Sequence, residues 1–123
     1  MQIQERTLDF GVMIIRLANN MPKAVGGSVL AKQLIRSGTS IGANMEEADQ
    51  AASKADFVNR VAIAGREARE TRYWLYLIKK AGLIHDQSHL KGLEELIQES
   101  HEIVLIISAI IRNSKGNKEG FIK

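Results

Sequence analysis

The chain has no cysteine among its 123 residues, so it can build neither a disulfide framework nor a thiolate metal site. It has one proline, and aromatic residues make up only 5% of it. The β-branched residues fall at helical spacing and do not alternate, which excludes a sheet-built protein and predicts an all-α fold. The opening stretch MQIQERTLDFGVMIIRLANN has no basic start ahead of an apolar core, and Arg16 interrupts its apolar run, so it does not read as a signal peptide. The longest late apolar run, IVLIISAII from Ile103 to Ile111, holds nine residues, whereas a membrane-spanning helix needs roughly 20. A soluble, cytoplasmic protein with no membrane partner is expected. GxSxG is absent, and GTSIG, Gly38 to Gly42, lacks both a following lysine and a preceding strand, so it is not a phosphate cradle.

What is present is helical punctuation. A chain of this length forms a single core. The segment NNMPKAVGG, Asn19 to Gly27, holds the proline and a glycine pair and ends a first helix that starts near Thr7. A second helix runs from about Ser28 to Ala51. Ser53-Lys54-Ala55-Asp56 is close to a capping box, with Asp in place of Glu, and starts a third helix that ends near Gly82. The fourth opens around Asp86 and continues to about Arg112. Residues 1–112 are therefore expected to form a bundle domain, and residues 113–123, NSKGNKEGFIK, a basic, flexible tail.

Three helices carry apolar seams with steps of three and four. They are Leu30, Leu34, Ser37, Ile41, Asn44, Ala48 and Ala51 in the second; Phe57, Val61, Ala64, Ala68, Thr71, Leu75 and Ile78 in the third; and Leu90, Leu93, Ile97, Ser100, Val104, Ile107 and Ile111 in the fourth. Joined by short loops, they predict an antiparallel up-and-down four-helix bundle. The first helix exceeds what such a bundle needs: Leu8, Phe10, Val12, Met13, Ile14, Ile15, Leu17 and Met21 nearly encircle its axis. Ile103 to Ile111 is also apolar on most sides. A lone copy would expose that surface, so a homo-oligomer is expected.

Asn44 is an amide on a seam. Ser37 lies two turns earlier on the same seam, Ser40 and Glu47 flank Asn44, and the third helix brings Thr71 with Glu67 and Glu70 beside it. Ser37, Ser40, Asn44, Glu47, Glu67 and Glu70 are thus expected to form a structural polar layer. An unmatched buried amide costs roughly 1–3 kcal/mol, so the layer either sets helix register or holds a ligand. A carboxylate-bridged metal centre needs two Glu-x-x-His pairs. Here Gln98 precedes His101 by three and Asp86 precedes His89 by three. His85 and His89 have metal-like spacing but no third ligand nearby in sequence. No metal, cofactor or catalytic residue is expected.

Charge is segregated. Residues 53–81 carry seven Lys/Arg against three Asp/Glu, net +4; residues 86–111 carry one against five, net −4; from Arg112 onward there are four against one, net +3. At 100° per residue, Arg66, Arg69, Tyr73, Tyr76 and Lys80 share the face of the third helix opposite its seam. Such a stripe suits phosphates and bases. It also suits an acidic neighbour, since Arg and Tyr are enriched at subunit contacts, or it is a solvated face.

The segment Ser37 to Ile84, with the blocks SIGANMEEA, SKADF and EARETRYWL, closely resembles the bacterial four-helix bundle family that includes proteins encoded in intervening sequences of 23S ribosomal RNA genes. It is similar, more distantly, to the accessory variability determinant of diversity-generating retroelements. In family terms Ser40, Ile41, Asn44 and Glu47 carry the motif of the second helix, and Glu67, Glu70 and Trp74 that of the third. The resemblance implies a bundle that assembles as a ring-like homopentamer, and it does not imply an enzyme; none is expected. For the accessory relatives it implies a basic surface that binds nucleic acid and a reverse transcriptase. Two functions are therefore expected as alternatives: an oligomer that binds RNA through Arg66, Arg69, Tyr73, Tyr76 and Lys80, or a structural adaptor pentamer whose partner is a protein.

Overall fold

The computed structural model describes residues 2–116. They form α1 (Gln2–Asn19), α2 (Val25–Asp49), α3 (Lys54–Ala81) and α4 (Gln87–Gly116). Cross-helix contacts give the register. Gly38 packs on Ile14, Gly42 on Thr7 and Gly65 on Ile107; Ser37 bonds Thr71, and Lys79 pairs with Glu94. In α1–α2 and α3–α4 numbers rise along one helix as they fall along the next, so each of these pairs is antiparallel; α2 and α3, joined by residues 50–53 alone and packed on one another, fold back in the same way.

Local chemistry sets most of the ends. Ser53 is the N-cap of α3, and its hydroxyl accepts from the Asp56 N–H at 3.1 Å. Gly82 closes α3 in the left-handed conformation, φ 68°, which a side chain disfavours. Asp86 opens α4 by accepting from the His89 N–H at 3.1 Å and from the Ser88 hydroxyl at 2.8 Å.

Three boundaries differ from expectation. Thr7 does not start α1: its hydroxyl donates back to the Ile3 and Gln4 carbonyls, at 2.8 and 3.1 Å, and is interior to a helix that begins at Gln2. Ser28 does not start α2, because its N–H already bonds the Ala24 carbonyl at 2.8 Å. Helix α4 does not stop at Arg112; Ser114 is still buried against the bundle, and the helix continues to Gly116. The rest of the expected tail, residues 117–123, lies outside the described residues.

The seams meet in one core. Leu34, Ile41, Val61, Ala64, Ala68, Leu75, Ile78 and Leu93 have no exposed surface. Each large aliphatic side chain among them contributes about 1.5–3 kcal/mol by leaving water. The surplus apolar surface lies on α1 as expected: Phe10, Ile14, Leu17 and Met21 face inward, while Leu8, Val12, Met13 and Ile15 remain exposed. On α4, however, only Leu105 is exposed among the described large apolar residues, with Ile103, Val104 and Ile107 buried in the core. Val25 and Val29 at the start of α2 add exposed apolar surface that the seams do not foretell. The α1–α4 seam is the most open of the bundle. It is bridged at one end by Arg6, whose guanidinium donates to Glu99 at 2.6 and 2.8 Å and to Glu102 at 2.7 Å. Among the described residues no helix is long and apolar enough to cross a membrane.

Candidate nucleic-acid interface

The α3 face opposite the seam is fully laid open. Arg66, Arg69, Tyr73, Tyr76 and Lys80 are all exposed. The span from Arg66 to Lys80 is about 21 Å of helix. Three other cations of α3 are already engaged: Lys79 pairs with Glu94 at 2.6 Å, Arg60 stands 4.0 Å from Asp56, and Arg72 contacts the His101 ring at 3.2 Å. Arg66, Arg69 and Lys80 have no ion-pair partner among the described residues. Tyr73 and Tyr76 are 60% and 52% exposed. Tyr73 meets Trp74 edge-on, with ring centroids 5.3 Å apart, a contact that steadies the phenol while most of its surface stays open.

Five of the six residues expected to form one polar layer are divided in the structure among three groups, and the sixth, Glu47, joins none. Ser37 and Thr71 meet in the core with no exposed surface, their hydroxyl oxygens 2.8 Å apart. Thr71 Oγ1 also lies 2.7 Å from the Glu67 carbonyl. That carbonyl can only accept, so the consistent arrangement has Thr71 donating to it and receiving from Ser37. Asn44 is only half-buried and does not reach another helix. Its Nδ2 donates to the Ser40 carbonyl at 2.9 Å and to Ser40 Oγ at 3.1 Å, one turn back. The helix-pairing role expected of Asn44 belongs to Ser37 and Thr71.

The third group lies on the α2–α3 rim. Arg36 Nη1 bonds Glu67 at 3.3 Å, its Nη2 bonds Glu70, and Glu70 also accepts from Trp74 Nε1 at 3.1 Å. Glu47 is exposed and joins none of the three. Arg36 was not among the expected site residues. The available signal was the pair Glu67 and Glu70 on adjacent turns of a basic helix, which calls for a facing cation.

The chain matches the family described as 23S rRNA-intervening sequence protein over residues 1–109. It belongs to that family. It is also similar in structure to a protein of unknown function from the S23 ribosomal protein family of Bacteroides thetaiotaomicron. That match has a TM-score of 0.79 and 39% identity, and covers 89% of this chain and 97% of the other. No curated protein matches. For this member of the 23S rRNA-intervening sequence protein family, the structure gives the motif residues distinct local roles. Ile41 is core, Ser40 and Asn44 bond one another along α2, and Glu67, Glu70 and Trp74 form the rim with Arg36.

Proposed function

We propose that the chain is a subunit of a cytoplasmic, ring-like homopentamer that has no enzymatic activity and binds RNA through the α3 stripe. The observation that carries this reading is the row itself: three cations free of ion pairs among the described residues, set around two exposed phenol rings. Free cations take phosphates, and an aromatic ring stacked on a base contributes about 1–3 kcal/mol. Among polyanions, a single-stranded RNA offers both the phosphates and the unstacked bases that such a row of cations and rings can hold. The number five comes from the family resemblance, and a ring multiplies the stripe so that weak contacts add by avidity.

The test is binding of a mixed RNA pool as salt is raised. Three phosphate contacts per subunit predict a log–log slope of about −2 for single strands. Reversal of Arg66 and Arg69 to Glu abolishes binding in this reading, and binding that survives the reversal refutes it. A second reading, a structural adaptor that binds a protein, is favoured by the net charge of −4 over residues 86–111 of a neighbouring copy, which complements the stripe. In that case Arg69→Glu breaks the oligomer and leaves RNA irrelevant.

A further inference from the structure

The open seam between α1 and α4 holds a pocket of about 410 Å³ near the end of α1. Small-molecule sites usually fall between about 300 and 1,000 Å³, mostly apolar with a few polar groups that fix orientation. This pocket has that make-up. Leu17 and Leu96 are buried and form its floor, and Met13, 37% exposed, lies at its side. On α4 the space is left by Gly92, where an added Cβ meets nothing within 4 Å. Glycine is among the least favourable residues inside a helix, and here no close approach of a neighbouring element requires it.

The mouth of the pocket is cationic. Arg16 lines it, exposed and without an ion-pair partner among the described residues. No acidic side chain among the described residues lines it. Asp86, close in sequence to the lining residues Ser88 and His89, is already engaged by both: its carboxylate accepts from His89 Nδ1 at 2.6 Å and from the Ser88 hydroxyl at 2.8 Å. Arg16 is therefore the one full charge that the lining offers to a ligand.

We infer that the α1–α4 pocket binds a small organic anion, a carboxylate carried on an apolar body, with its head on Arg16 and its body against Met13, Leu17 and Leu96. A planar guanidinium takes a carboxylate through two parallel N–H bonds, and removal of the body from water supplies the rest of the affinity. Inorganic phosphate leaves the apolar floor unused, and a neutral apolar molecule leaves Arg16 unused. The site is separate from the α3 stripe, since α1 packs on α2 and α4 while the stripe looks outward from α3. It stands whether or not the chain binds RNA.

Octanoate, acetate and octylamine titrated into the intact protein test it, with methionine methyl signals followed by NMR and affinity measured by calorimetry. Octanoate is expected to shift the Met13 methyl saturably and to leave that of Met45, buried elsewhere in the core, in place. Acetate, a head without a body, and octylamine, a body with the opposite charge, are expected to bind about tenfold or more weakly than octanoate. Arg16→Ala is expected to weaken octanoate by a similar factor. Gly92→Met fills the pocket and is expected to abolish binding while the melting temperature holds or rises, because methionine suits a helix interior. Octylamine binding as tightly as octanoate overturns the role of Arg16. Octanoate binding that survives Gly92→Met, or no saturable Met13 shift, overturns the pocket. A fall in scattering mass on Gly92→Met assigns the space to a neighbouring copy and overturns the ligand.

Discussion

Placing the same substitution at two glycines of α2 gives opposite results if the packing is as described. A Cβ built on Gly38 falls 2.8 and 2.9 Å from the two γ carbons of Ile14, which has no exposed surface, whereas one built on Gly26 meets nothing within 4 Å. Both changes to alanine bring a helix-propensity gain of up to about 1 kcal/mol. At Gly38 the new methyl must open the α1–α2 contact toward the roughly 3.5–4.0 Å that carbon atoms prefer. Such overpacking costs about 1–3 kcal/mol. Gly38→Ala is therefore expected to destabilise by about 1–2 kcal/mol net. Gly26→Ala is expected to be neutral or stabilising. Urea titrations followed by far-UV circular dichroism, at one protomer concentration, give both values. Equal stability of the two variants, or a Gly38→Ala protein more stable than the parent, refutes the close approach of α1 to α2.

Thr71→Val strands the buried Ser37 hydroxyl and is expected to cost about 1–2 kcal/mol, with the Ser37→Ala/Thr71→Val pair less costly than the sum of the two singles; chemical denaturation of all four proteins checks it. Asn44→Ala, by contrast, loses only a bond within α2 and is expected to fall within about 1 kcal/mol of the parent in the same assay. The Asp86 carboxyl, held by the His89 side chain, the Ser88 hydroxyl and the His89 N–H, is lowered from 3.8 to about 2. Its folded value lies below its unfolded one, so its contribution is complete above pH 4 and is lost as pH falls toward 2. A carboxyl NMR titration is expected to show Asp86 protonating in that range, with Ser88 and His89 shifting alongside it.

Much of the fold was legible because its signals are local. The α3 seam from Val61 to Ile78 is buried throughout, and Ser53 and Gly82 end that helix where their chemistry requires. The starts of α1 and α2 are less legible, because neither carries a local signal as sharp as Ser53: the Thr7 hydroxyl bonds back to Ile3 and Gln4 inside α1, and Ser28 lies one turn inside α2. The place of Asn44 is also less legible. Its spacing puts it on a seam, but the step to Met45, which is 2% exposed, rotates the buried arc and leaves the amide on its edge, free to bond Ser40. Arg36 went unnoticed because its partners, Glu67 and Glu70, lie 31 and 34 residues away, and only the α2–α3 register brings them together. The α3 stripe followed from helical geometry alone, because a face opposite a buried seam must point outward.

The most direct test of the central claim is the light-scattering mass of the intact protein with and without a mixed RNA pool, at low and at physiological salt. The account predicts a stable oligomer that gains RNA mass at low salt and sheds it as salt rises, with the protein mass unchanged. An oligomer of the same mass with and without RNA under both conditions contradicts it.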